Sequence, residues 1–221
     1  QHPNGAEILD AGSGFGQYSF YLGKKNKNYK IHAVDVKDDQ VADCNKFFTK
    51  IGLTNVHFEV DDLTKYQKPD GYDLIISVDV MEHILEDVDV FKNFYTSMKM
   101  GAMLIINTPS DQGGSDVKHE GEESFIGEHV RDGYNINEIQ DKLKIAGFTK
   151  IDARYGYGTP GKISWKLSMK YPMMMLNTSM LFIIILPIWY IIFYPISYVL
   201  NYFDVQGNHP TGTSLVIKAR K

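Results

Sequence analysis

Ile8-Leu9-Asp10-Ala11-Gly12-Ser13-Gly14-Phe15-Gly16 is an apolar run that ends in an acid and then breaks into three glycines at alternate positions. The run fits a buried strand, and the segment that follows, from Gln17 to Leu22, is compatible with a helix. A strand, a glycine-rich turn and a helix together bring main-chain N–H groups and a helix N-terminus up to a nucleotide-like ligand. The glycine spacing narrows the choice of ligand. In a dinucleotide fingerprint GxGxxG begun at Gly12, the third glycine would fall at position 17, which is Gln17. The pattern is instead DxGxGxG, and it makes Asp10, Gly12, Gly14 and Gly16 candidates for the turn around the ligand.

Outward from this turn, short apolar runs alternate with segments of helical length, the signature of a parallel α/β sheet. Strands are expected over 7–11, 30–35, 56–60, 72–78, 103–107, 149–157 and 214–219, and helices over 17–26, 38–51, 85–99 and 136–146, with Gly147 as a helix stop. The residues alone specify a doubly wound α/β fold.

Three further segments line up behind the first. Asp35 closes the second expected strand, where an acid can accept both ribose hydroxyls; a solvated acid at a strand end is the plainer alternative. The third strand ends Val60-Asp61-Asp62-Leu63, where either acid could also simply cap a turn. The fourth runs Tyr72-Asp73-Leu74-Ile75-Ile76-Ser77-Val78 and continues into Asp79-Val80-Met81-Glu82-His83-Ile84.

In this order and spacing, the four segments resemble the motifs of the class I S-adenosylmethionine-dependent methyltransferases. The resemblance implies a doubly wound, seven-stranded, mostly parallel sheet, the Rossmann-like methyltransferase fold, with an antiparallel seventh strand inserted beside the sixth. It implies S-adenosyl-L-methionine as cofactor. Asp62 would meet the adenine amino group and the Leu63 main chain a ring nitrogen. Ser77 and Val78 would lie along the methionine half, and Asp10 near its ammonium, unless Asp10 braces the glycine turn. The positive sulfonium makes the methyl an electrophile, so the protein's task is to align a nucleophile with it and exclude water.

The segment 108–135 is long for a connection in a compact domain, as functional lids often are. It holds His119 and His129, each a candidate general base or, equally, a packed histidine anchoring the lid. Arg131 is placed to meet a substrate anion or Glu128. His83 is a further candidate base, with capping and packing at a helix start as the plainer reading. The histidine and carboxylate spacings match no standard metal set, so no metal is expected.

A net charge of −4 over 221 residues leaves no basic excess for phosphates, so no nucleic-acid partner is expected. The single cysteine, Cys44, excludes an internal disulfide and suits a reducing compartment. There is no signal-peptide pattern. The chain starts at Gln1, close to the first strand, where the resembling family carries one or two helices, so further residues are expected before it.

From 171 to 203 the sequence has no charged residue and is dense in Ile, Leu, Met, Phe and Tyr. Both ends must return to one sheet, which excludes a single membrane crossing. Two crossings need roughly 40 residues plus a turn, and Pro187 and Pro195 are expected to interrupt any continuous helix. Lys162, Lys166 and Lys170 with Trp165 form a basic flank, and Tyr190, Tyr194, Tyr198 and Tyr202 repeat at the same interval. The alternatives are peripheral or monotopic membrane contact through 162–203, or a protein-packed cap. The expected organisation is a cofactor-binding domain over 1–160 and 211–221 with an apolar insertion over 161–210. The expected function is methyl transfer to a small-molecule or lipid-like, hydrophobic or membrane-associated acceptor at the cytoplasmic, inner face of a membrane. Oxygen is favoured as the accepting atom over nitrogen or carbon. A non-catalytic membrane module that keeps the fold is the alternative of another class.

Overall fold

Ile8, Leu9, Asp10 and Ala11 of β1 (Glu7–Ala11) are all buried, because β1 lies inside the sheet with helices on both sides. A computed structural model describes residues 5–113 and 130–221. In chain order, β1 is followed by α1 (Gln17–Lys25), β2 (Lys30–Asp35), α2 (Asp38–Lys50), β3 (Val56–Val60), β4 (Tyr72–Val78), α3 (Asp87–Ser97), β5 (Met98–Pro109), α4 (Ile136–Ile145) and β6 (Lys150–Gly156). α5 (Thr159–Trp165), α6 (Tyr171–Thr178) and α7 (Leu186–Gln206) precede β7 (Ser214–Arg220).

The sheet runs β3-β2-β1-β4-β5-β7-β6. β1 to β5 pair in parallel, and β7 is antiparallel to both β5 and β6. This is the seven-stranded, doubly wound methyltransferase topology that the resemblance implies. The strand order reverses between β1 and β4, so their carboxyl ends open a crevice at the switch point.

Each face has its own core. Ile8, Ile31, Ala33, Phe48 and Phe58 pack beneath α1 and α2, and Leu9, Val34, Ile75, Phe91, Phe94 and Leu104 pack beneath α3 and α4. Phe91 and Phe94 sit one helical turn apart on the buried stripe of α3, each worth about 1.5–3 kcal/mol of apolar burial.

The boundaries of α3 and β5 depart furthest from the sequence expectation, the others by no more than one residue. α3 starts at Asp87 and stops at Ser97, rather than running over 85–99, and β5 begins at once with Met98 instead of at 103. The Met98 side chain is fully buried, its N–H bonds the carbonyls of Phe94 and Tyr95, and its backbone pairs with Tyr72. Tertiary burial at one residue thus overrides a sequence that could continue the helix.

The apolar insertion is a helical hairpin. One arm is α5, a π-turn (Lys166–Lys170) and α6 end to end; a 3₁₀ turn (Met180–Ile184) leads into the other arm, α7. The expected interruption at both prolines does not occur. Pro187 lies in the first turn of α7, where its missing N–H costs nothing, and α7 runs on through Pro195. Cross-arm bonds hold it there. The Ser164 hydroxyl donates to the Ser197 carbonyl at 3.0 Å, and the Trp189 indole N–H to the Leu167 carbonyl at 2.9 Å.

Candidate cofactor and active site

The glycine turn forms because its backbone is left-handed at Gly12, Gly14 and Gly16, with φ of 77°, 49° and 72°, where a β-carbon is disfavoured. Each glycine also meets a different environment. A β-carbon on Gly12 would lie 2.3 Å from Val80 Cγ2, so the turn and the loop after β4 touch. At Gly16 it would strike the Phe58 and Phe48 rings, so this glycine serves helix-to-sheet packing. At Gly14 it would meet nothing within 4 Å, because the space opens into a cleft.

That cleft holds about 610 Å³, a size suited to a nucleoside-bearing ligand. Gly12, Ser13 and Gly14 form its floor, and Asp35, Asp62, Leu63 and Val78 line it. Gly16, Asp10 and Ser77 are not among its lining residues. The N-terminus of α1, with no acid in its first turn, faces the same region through Gln17 and Tyr18 and favours a negatively charged group there.

Asp35 joins the second strand to the turn. Its Oδ2 accepts the Gly14 N–H at 2.8 Å and its Oδ1 the Lys37 N–H at 3.0 Å. A carboxylate has about four acceptor positions, so capacity remains toward the cleft. Asp62 folds back on its own turn. Its Oδ1 accepts the Thr64 N–H at 2.9 Å and hydroxyl at 2.7 Å, and Oδ2 lies 3.2 Å from Lys65. The Thr64 hydrogen bonds, then Lys65, hold this carboxyl below the usual range. Asp61 accepts the Asp62 N–H at 2.7 Å and also lines the cleft.

Asp10 lies beneath the turn, where its Oδ2 accepts the Ser19 hydroxyl at 2.6 Å. Burial pushes its carboxyl from 3.8 up to about 6, against the lowering effect of the Ser19 bonds. That bond ties the end of β1 to α1 across the turn. Ser77 is fully buried, and its hydroxyl, like that of Ser13, has no partner among the described residues. The orphaned Ser13 hydroxyl in the cleft wall, with the open space at Gly14, fits a polar ligand seated on the turn.

Asp79, Val80 and Ile84, from the loop after β4, also line the cleft, while sequence reasoning missed Tyr18, Val36, Lys37 and Gln40. A signal existed for one. Val36 directly follows Asp35 and is 63% exposed, as an apolar residue that packs on a bound ring would be in the free chain. His83 lines the cleft wall from a short 3₁₀ turn (Met81–His83).

His119 and His129 fall outside the described residues. Arg131 is engaged by the protein itself. Its Nη1 lies 2.5 Å from Asp87 Oδ2, and its Nη2 donates to the Ile84 carbonyl. Tyr134 and Lys142 also donate to Asp87, each at 2.7 Å. Burial raises the Asp87 carboxyl, but these bonds and the Arg131 charge outweigh it and hold it below the ordinary range. The network fastens the segment before α4 to the loop before α3.

The profile of a family described as "Methyltransferase domain" matches residues 2–154 and ends before the hairpin. Phosphoethanolamine N-methyltransferase 1 of Arabidopsis thaliana is 32% identical over 163 residues, covering 67% of this chain and 30% of that protein. Malonyl-[acyl-carrier protein] O-methyltransferase 2 of Ilyobacter polytropus is 28% identical over 141 residues, covering 62% of this chain and 52% of that one. Among solved structures, phosphoethanolamine N-methyltransferase 2 of Haemonchus contortus, crystallised with S-adenosyl-L-methionine, superposes with a TM-score of 0.72 at 18% identity. It covers the whole of this chain and 50% of that chain. The chain thus spans about a third to a half of the length of these relatives. With the sheet order, the glycine turn and a profile over most of its length in agreement, the chain belongs to the S-adenosylmethionine-dependent methyltransferase family.

Proposed function

We propose that this protein transfers the methyl group of S-adenosylmethionine to a heteroatom of a hydrophobic, membrane-associated small molecule. The observation that carries the reading is the joining of Gly14 to Asp35 at the floor of an open cleft at the sheet's switch point. Bound there, the cofactor supplies an electrophilic methyl on a sulfonium. The chain's residues do the rest. Asp35 presents remaining acceptor capacity to the ribose hydroxyls. The main chain at Asp62 and Leu63 and the exposed Val36 take the adenine. Gly12, Gly14 and Val78 pass the methionine half, with Asp10 and Gly16 supporting the turn from below.

The Asp62 carboxylate is partly committed to Thr64 and Lys65, so its role toward adenine is to share an oxygen. Either His119 or His129 would act as base on the acceptor, as the sequence reading has it. Nitrogen is the accepting atom favoured by the names of most of the relatives, such as the phosphoethanolamine enzymes. Oxygen, the choice from sequence alone, has the support of the O-methyltransferase relative. Residues 162–203 would supply the membrane contact, at the inner face of a membrane.

Incubation of cell extract with methyl-tritiated cofactor and the purified chain tests the reading. Label extracted into organic solvent is expected; label confined to the aqueous phase would remove the hydrophobic acceptor.

A further inference from the structure

The hairpin leaves the sheet at the edge that carries the cleft. Gly156, the end of β6, pairs with Ser214, the start of β7, and Ser214 pairs with Pro109 at the end of β5. The Ser214 hydroxyl donates to Asn107 Oδ1 at 2.8 Å, and Asn107 Nδ2 donates to Asp79 Oδ1 in the cleft wall at 3.2 Å. A chain of contacts thus links the hairpin root to the cofactor cleft. Tyr157 at that root and Tyr18 in the cleft feel the same charge: burial raises both phenols, and Asp79 raises both further.

Away from the root the hairpin has a polarity of its own. Between Asp152 and Asp204 there is no carboxylate, while Lys162, Lys166 and Lys170 climb the first arm. Beyond Lys170 the first arm continues uncharged through α6, Tyr171–Thr178, about 12 Å at the helical rise, while α7 is uncharged from Leu186 to Phe203, about 27 Å. The shorter arm thus reaches less than half of the roughly 30 Å hydrocarbon core of a bilayer. Over 171–192 only Pro172 is buried, and Leu181, Ile184 and Ile191 are each more than 70% exposed. Two hydroxyls near the turn are satisfied internally. The Thr178 hydroxyl donates to the Met174 carbonyl at 2.9 Å, and Ser179 Oγ accepts the Leu181 N–H at 3.2 Å. Between the arms lies an almost wholly apolar hollow of about 440 Å³, lined by Tyr171, Met174, Met175, Thr178, Phe182 and Trp189. Unbranched methionines beside flat rings adapt to a hydrocarbon chain.

We propose that the outer half of the hairpin inserts into a single leaflet of an anionic bilayer, with Lys162, Lys166 and Lys170 among the phosphates and a lipid hydrocarbon chain in the hollow between the arms. The acceptor is then an amphiphile whose reactive group sits at headgroup depth, facing the cleft. This deepens the membrane-associated reading above and rests on it. One leaflet suffices because both arms return to the same sheet edge, and the short first arm beyond Lys170, not the 21-residue α7, limits the depth the paired arms reach. A second copy of the chain is the less favoured occupant. In a two-fold contact hairpin meets hairpin, and its three lysines would have no carboxylate between Asp152 and Asp204 to neutralise them.

The test uses the full chain with vesicles of phosphatidylcholine and phosphatidylglycerol. An environment-sensitive fluorophore is placed at Ile184→Cys or, separately, at Met169→Cys. The label at 184 is expected to be quenched best by nitroxides deep in the acyl chains, and that at 169 by headgroup nitroxides. In a Trp165→Phe chain, Trp189, whose indole bonds the Leu167 carbonyl between the lysines, is expected to be quenched better by bromines near the headgroup than by bromines at the acyl-chain end. The pair Leu181→Asp and Ile184→Asp should cut vesicle partitioning by more than about tenfold, given the cost of aspartate in hydrocarbon. No quenching at 184, or a dimer in sedimentation that these aspartates dissolve, overturns the proposal. Calorimetric S-adenosylmethionine binding without vesicles separates the two readings. Its absence in the parent chain would end the methyltransferase reading, while the quenching pattern still decides insertion.

Discussion

Asp204, at the end of the second hairpin arm, accepts the main-chain N–H of Gly161 in the first turn of α5 at 3.0 Å. A β-carbon on Gly161 would come within 2.7 Å of the same carboxyl group. The acid also accepts the Tyr157 N–H at 2.9 Å, and its Oδ1 lies 3.1 Å from His209 Nε2. One buried carboxylate therefore closes the root of a hairpin whose arms are otherwise largely exposed.

Replacing Asp204 with Ala removes acceptors from two N–H groups near the root. A loss of about 1–3 kcal/mol is expected, by the cost of leaving buried donors unpaired. Because the core of the sheet is separate, the loss should appear first as protease cutting within the hairpin. Thermal unfolding together with limited proteolysis would check this; an unchanged cleavage pattern would count against the closure role.

Gly12→Ala forces a side chain onto Val80 at a left-handed backbone position. Overpacking costs about 1–3 kcal/mol, and a left-handed non-glycine about 1–2 more. Calorimetry should show cofactor affinity falling by at least about tenfold. Adding Val80→Ala should restore only part of it, because the backbone strain stays.

Asp10 makes stability depend on pH. Its carboxyl titrates near 6 in the folded chain against 3.8 ordinarily, so the folded state binds more protons between those values. Stability therefore falls as pH rises through 4 to 6, by roughly 3 kcal/mol at most. Asp10→Asn keeps an acceptor for Ser19 and should be more stable than the parent at pH 7, with that slope flattened. Urea unfolding at pH 5 and pH 7 measures both; equal parent stability at the two values would refute the shift.

Arg131→Ala strips one cation from the buried Asp87 while Lys142 and Tyr134 remain. A loss of about 2 kcal/mol is expected, less than the roughly 3–5 kcal/mol of an ion left fully unpaired. Since Asp87 titrates below its ordinary value, its stabilisation is present at neutral pH and is lost as pH falls through that depressed value. High salt should change the difference little, because the pair is shielded from solvent. Chemical denaturation in low and high salt would check it.

Much of the cofactor side was legible because the signals are local. Strand, glycine turn and helix follow one another within a few residues, and an acid at a strand end marks the crevice edge. Gly16 shows the limit: its spacing matches Gly12 and Gly14, yet it faces Phe48 and Phe58 rather than the cleft. Arg131 shows another, since its partner Asp87 lies far back in the chain. Pro195 shows a third, for the helix it was expected to end is held by contacts from the other arm.

By itself, the sequence determined the alternation of strands and helices, the glycine turn, the S-adenosylmethionine family and the place of an uncharged insertion. These depend on side-chain periodicity and backbone freedom, which act over a few neighbouring residues. Only the tertiary structure decided that Asp35 accepts the Gly14 N–H, that Asp10 accepts the Ser19 hydroxyl of α1, and that the insertion is a hairpin rooted at the cleft edge. Such pairings join residues distant along the chain, and burial on the folded sheet selects them among many compatible partners.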